Sequence, residues 1–213
     1  CILPLAGYVT LQFPQVQTRI AQRTAEALEK GIRGSLEIER VAIVFFNKVM
    51  AYNISVTGEY GDTLGAISKL SVSVYPADLL RGRITVTRLY IEDGCFNLVK
   101  EGPGKFNNIN RIFDFAPKPD SLKKPLHVPD MTVDEVILRD MRFSLRNPAA
   151  DTVPKNPSCI NFKNLSLSEI NARINRVRIV DDAISCRIRD LSCTDRCGYS
   201  IRSLSGNFSY NKN

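Results

Sequence analysis

One fourteen-residue pattern occurs twice in this chain. Thr85-Val-Thr-Arg-Leu-Tyr-Ile-Glu-Asp-Gly-Cys-Phe-Asn-Leu98 aligns with Thr132-Val-Asp-Glu-Val-Ile-Leu-Arg-Asp-Met-Arg-Phe-Ser-Leu145 at an offset of 47, with five identical positions and two aliphatic exchanges. A repeat of this kind means one structural unit used twice, so both copies must present the same residues to the same surroundings. Apolar and polar positions alternate within each copy, which is the period of a strand with one buried face.

Asp93-Gly94 is a strong two-residue turn signal, and Asp140-Met141 holds the equivalent place, so each copy reads as a β-hairpin. Pairing outward from the turns sets Ile91 opposite Phe96 and Leu89 opposite Leu98, then Leu138 opposite Phe143 and Val136 opposite Leu145. These eight residues form one apolar face. Arg88, Tyr90, Glu92 and Asn97 in one copy, and Glu135, Ile137, Arg139 and Ser144 in the other, point the opposite way.

Further back the apolar positions step by three, from Leu89 to Val86, which a regular strand cannot keep on one face; a bulge or kink would reconcile them. The same spacing recurs in Ile38, Val41, Ile43; Ile67, Leu70, Val72; Phe162, Leu165, Leu167; Ile174, Val177, Ile179; and Ile188, Leu191, Cys193. At average apolar composition a chain of this length gives on the order of ten such triples by chance, so the long repeat carries the argument.

From Leu36 onward the period is two, punctuated by turn signals at Gly58, Gly61-Asp62, Gly102-Pro103-Gly104 and Asn147-Pro148 as well as at Asp93-Gly94. The front of the chain differs. Residues 1–13 carry no charge, begin with Cys1 rather than Met, and are too short to span a bilayer that takes ~20 apolar residues. They read as the outer end of a membrane anchor, with a buried strand and a lipid-bearing Cys1 as rival readings. Pro14 then opens an amphipathic helix, with Val16, Ile20, Ala27 and Leu28 near one stripe and Gly31 and Gly34 ending it.

Charge and chemistry exclude several classes. The net charge is +7, but lysine and arginine are scattered singly, with no basic run interleaved with base-stacking aromatics, so nucleic acid is not an expected partner. Gly102 to Lys105 lacks the remainder of a phosphate-loop pattern. The single histidine, His127, lies in a proline-rich loop over 116–129, away from any nucleophile, and no enzymatic activity is expected. Six cysteines include Cys193-x3-Cys197, which lacks the second ligand pair of a zinc site; a local disulfide and buried free thiols both remain open. No cofactor or metal is expected.

Taken together, the uncharged front segment, Phe13-Pro-Gln-Val-Gln-Thr-Arg-Ile20, Leu36-Glu-Ile-Glu-Arg-Val-Ala-Ile-Val-Phe-Phe-Asn47, Gly61-Asp-Thr-Leu64, Asp93-Gly94, Gly104-Lys-Phe-Asn-Asn107 and Gly198-Tyr-Ser-Ile-Arg-Ser-Leu-Ser-Gly-Asn-Phe208 resemble the amino-terminal region of the TamB family, within the AsmA-like superfamily. The resemblance implies an inner-membrane anchor and a periplasmic body built as a long curled sheet with a hydrophobic groove. It also implies conduction of phospholipid between two membranes, and an outer-membrane barrel protein of the assembly machinery as a partner. A structural scaffold docking that machinery is the alternative.

The expected architecture is therefore mainly β: residues 1–13 as the end of an anchor, 14–34 as a helix, and 35–213 as the start of a longer β body. The sheet is expected to be bent, antiparallel and shaped as a hydrophobic half-pipe. Leu89, Ile91, Phe96, Leu98, Val136, Leu138, Phe143 and Leu145 are expected to line its concave, lipid-contacting face, with Arg88 and Arg139 outward.

Overall fold

The computed structural model describes residues 34–44, 47–59, 61–79, 85–100, 107–109, 131–150, 159–180 and 183–211. The anchor, almost all of the expected helix and His127 with its loop lie outside them.

The described residues form one open sheet. Its strands are β1 (Gly34–Val44), β2 (Lys48–Gly58), β3 (Thr63–Val74), β4 (Val86–Val99), β5 (Met131–Arg146), β6 (Leu165–Val180), β7 (Ala183–Asp195), β8 (Ser200–Ile201) and β9 (Gly206–Tyr210), with one short helix α1 (Pro76–Leu79) after β3. Strands neighbour each other in chain order from β1 to β8, and β9 returns to pair with the start of β7. Every pairing is antiparallel except β4 with β5. The turn chemistry read from the sequence holds between β2 and β3, where Gly61 takes φ 79° and Gly58 N–H donates to the Asp62 carbonyl at 2.8 Å. It holds again after β5, where the Asn147 carbonyl accepts from Ala150 N–H at 3.0 Å.

The two expected hairpins do not form. β4 runs unbroken through Asp93-Gly94 and β5 through Asp140-Met141, so Ile91 does not face Phe96, nor Leu138 Phe143. Each copy is a single long strand, and the two lie side by side in parallel, with every paired residue of the first opposite its repeat equivalent: Leu89 with Val136, Ile91 with Leu138, Phe96 with Phe143, Leu98 with Leu145. The repeat offset of 47 is thus the pairing register itself. The turn expectation failed because Asp at positive φ serves two structures equally: Asp93 (φ 47°) and Asp140 (φ 49°) do occupy the left-handed region that a tight turn uses, but here they kink a continuing strand.

The kinks are aligned across the sheet. Pairings on either side of Glu39, Asn53, Ser68, Asp93 and Asp140 stay in step, while those five residues fall between paired rungs from β1 to β5. Asn53 (φ 49°) belongs to the same set, and, glycine apart, Asn and Asp are the residues that adopt this conformation at least cost. Thr87, Asp134 and Arg176 (φ 54°) mark a second line over β4 to β6. Because a kink consumes one residue, positions three apart return to the same face: Ile38 packs with Val41 and Ala51, together with Ile54 and Leu70. The steps from Ile38 to Val41, Ile67 to Leu70, Val86 to Leu89 and Ile174 to Val177 each straddle such a line. The step from Phe162 does not, since Phe162 precedes β6 and is 76% exposed.

Candidate functional site: an apolar sheet face

With the kinks in place, the apolar residues fall into rows that cross the sheet. One row runs Val41, Ala51, Leu70, Ile91, Leu138, Ala172, Leu191 over seven strands; the next runs Ile43, Val49, Val72, Leu89, Val136, Ile174, Ile188. Beyond the first kink line come Ile38, Ile54, Ile67, Gly94, Met141, Ile170, and then Leu36, Val56, Gly65, Phe96, Phe143, Leu167. The rings of Phe96 and Phe143 stack at 6.3 Å between centroids and 17° between planes. Gly94 lies beneath Met141: a Cβ placed on Gly94 would meet Met141 Cε at 2.8 Å.

All eight residues expected to line the site therefore share this face, and all eight are half-buried. The repeat reveals only the part on β4 and β5. The rows on β1 to β3 and β6 to β7 escape it, although the three-residue steps are their signal, as the kink positions show. Among the described residues the extensive contacts between elements join paired strands only, so no second layer packs on the face. Few of its members are fully buried: Leu36, Val41, Ala51, Val133, Ala172 and Cys193 are under about a tenth exposed, whereas Val49 is 41% exposed.

The opposite side is polar, as the contacts of its rows demonstrate. Glu135 accepts from Arg88 at 2.7 Å and pairs with Arg173 at 3.4 Å; Lys69 pairs with Glu92 at 3.1 Å; the Arg40 guanidinium sits 4.1 Å from the centroid of Tyr52. Arg88 and Arg139 are exposed on this side, as expected. The hydrogen bond and charge of Glu92 raise the Lys69 pKa, and the Lys69 hydrogen bond lowers that of Glu92. A hollow of about 580 Å³ opens at the first kink line, lined mainly by members of this polar side, among them Glu37, Glu39, Asn53, Ser68, Asp93 and Arg142. Asn53 donates to Glu39, and Ser68 Oγ to Asp93 Oδ2 at 2.8 Å, so the kink residues satisfy one another.

No protein-family model and no curated protein matches this chain. Among the described residues no three histidine, cysteine or acidic side chains converge as a metal site, and no helix is long and apolar enough to cross a membrane. Of the two readings of Cys193 and Cys197, the structure has free thiols, as also at Cys95, Cys159 and Cys186. The Cys197 thiol is held up in pKa by its hydrogen bond to Asp195. Burial alone would raise Asp195, but the hydrogen bonds it receives from Cys197 and its neighbours bring its pKa below the usual value of 3.8.

Proposed function

We propose that this chain binds phospholipid acyl chains along the apolar face of its sheet and conducts them across the strands, as part of a bridge anchored in the inner membrane by its first residues and extending through the periplasm. One observation carries the reading: apolar rows continue rung after rung from β1 to β7 with no packed layer above them among the described residues. Apolar surface on that scale calls for an occupant. An acyl chain gains ~0.8 kcal/mol per buried methylene, and rows without polar clamps hold no headgroup in place, so a chain could slide from one strand to the next. In this reading the aligned kinks curve the sheet into the half-pipe.

The test is lipid extraction. Purified protein, analysed by mass spectrometry after organic extraction, should carry phospholipid, and a photo-crosslinker at position 138 should label lipid while one at 139 should not. Leu138→Asp should abolish the bound lipid and Arg139→Asp, on the polar side, should retain it, provided circular dichroism shows both variants folded. Equal labelling at 138 and 139, or no lipid at all, would reject the groove and leave the scaffold for an outer-membrane barrel protein as the better proposal.

A further inference from the structure

A second concavity, of about 260 Å³, lies between β7 and β9 and is lined by Arg187, Ile188, Arg189, Ser205, Gly206 and Asn207. Arg187 continues the polar row Ser73, Arg88, Glu135, Asn175, and faces Asn207 across the β7–β9 ladder, whereas Ile188 between the two arginines belongs to an apolar row. Arg187 and Arg189 are two apart on one strand and both exposed, yet among the described residues the ion pairs involve Lys69, Arg88, Arg142 and Arg173 and neither of these two. The nearby Asp190 accepts from Ser203 Oγ at 2.9 Å and, among the described residues, forms no ion pair with either arginine. Two like charges so near in the chain repel, and an anion between them would relieve the repulsion.

The donor set is selective. Two arginines line the cleft with a serine and an asparagine, residues whose side chains carry guanidinium forks, a hydroxyl and an amide, a donor set that suits the several oxygens of a phosphate better than a single halide. Residues 165 to 211 contain seven arginines and no lysine, so the positive charge of these strands is carried in the fork form. The volume equals roughly nine waters at ~30 Å³ each, room for a phosphate with its ester substituent but not for a folded polypeptide segment.

We propose that the Arg187–Arg189 cleft binds a phosphate ester, either free in solution or as the headgroup of an anionic phospholipid. The site borders the acyl-chain face at Ile188 but stands whether or not that face carries lipid. Amide chemical shifts of the whole chain are followed on adding inorganic phosphate or glycerol 3-phosphate at constant ionic strength, with sodium chloride as the control. Flotation with phosphatidylglycerol vesicles against pure phosphatidylcholine vesicles forms the second arm. Shifts confined to 187–189 and 205–207 and absent with chloride are expected, and they identify a soluble ester as a ligand; flotation that is stronger with phosphatidylglycerol than with phosphatidylcholine, the excess being lost in the Arg187→Gln/Arg189→Gln double variant, identifies the headgroup.

Arg187→Gln and Arg189→Gln should each weaken whichever binding is seen by about tenfold or more, the loss of one charge-assisted contact. Arg187→Lys should restore only part of it, because an ammonium lacks the fork. Arg88→Gln, on the same side but paired with Glu135, should leave binding unchanged. Binding that survives the Arg187→Gln/Arg189→Gln double variant in a folded protein, equal response to chloride, or no response in either arm overturns the proposal. Loss of acyl-chain extraction leaves it untouched.

Discussion

Replacing Gly94 with alanine tests the kinked, parallel arrangement directly, because a hairpin and a kinked strand assign that glycine different reasons to exist. In a two-residue hairpin turn Gly94 would need positive φ and would sit exposed at the tip, so an alanine there would suffer from backbone conformation alone. In the structure Gly94 is buried, is absent from the positive-φ residues, and lies under a neighbouring strand: a Cβ would stand 2.8 Å from Met141 Cε, 3.1 Å from its Sδ, and 2.9 Å from the Ala66 carbonyl oxygen. Carbon atoms rest at about 3.5–4.0 Å, so both contacts are overlaps. The Met141 end can swing away through its flexible torsions, whereas the Ala66 carbonyl is held by the β3–β4 ladder.

Overpacking of this kind costs about 1–3 kcal/mol, and we expect Gly94→Ala near the middle of that range. Met141→Ala alone should cost roughly 1–2 kcal/mol, below the usual ~2–5 for a buried methionine because Met141 is half-exposed. The double variant should be more stable than the sum predicts by about 1 kcal/mol, since truncating Met141 removes one of the two overlaps. Guanidinium unfolding of the four proteins, with the slope held constant, reads the coupling as a shift in midpoint. Additivity within ~0.3–0.5 kcal/mol would refute the placement of Met141 over Gly94, and with it the parallel register.

Asn108 is fully buried and bridges the end of β4, accepting from Val99 N–H at 2.9 Å and donating to the Asn97 carbonyl at 2.9 Å; Asn108→Ala should cost about 2–4 kcal/mol in thermal or chemical unfolding, since two main-chain groups lose their partners. Asp195 has a lowered pKa in the fold, so its stabilising contribution is present above the unfolded carboxylate value of 3.8 and is lost as pH falls through the folded one; the stability gap between the native protein and Asp195→Asn should narrow progressively below that point. Cys197, kept protonated by Asp195, should alkylate more slowly at neutral pH than exposed Cys159, and Asp195→Asn should accelerate it, as mass spectrometry of timed samples would record. Glu135→Gln releases Arg88 and Arg173 together, but both arginines are about 60% exposed, so the cost should stay within ~1 kcal/mol and vanish in high salt.

The linear pattern was sufficient for some of this architecture. Alternation of period two required strands, Gly58 to Asp62 and Asn147-Pro148 required turns, and the repeat required Leu89, Ile91, Phe96 and Leu98 to share an environment with Val136, Leu138, Phe143 and Leu145. Those statements rest on local stereochemistry, which a sequence carries within a few residues of each site. Whether Asp93 reverses the chain or only bends it does not rest there, because a positive φ at aspartate is the same local event in both cases. The outcome depends on which partner lies beside the strand, and that is settled by fitting Phe96 on Phe143 and Met141 over Gly94, residues 47 apart in the chain. The same holds for the apolar face. Steps of three look like noise strand by strand, and become rows only when the kinks of neighbouring strands fall on one line, a coincidence that main-chain hydrogen bonding between strands enforces and no single strand can display.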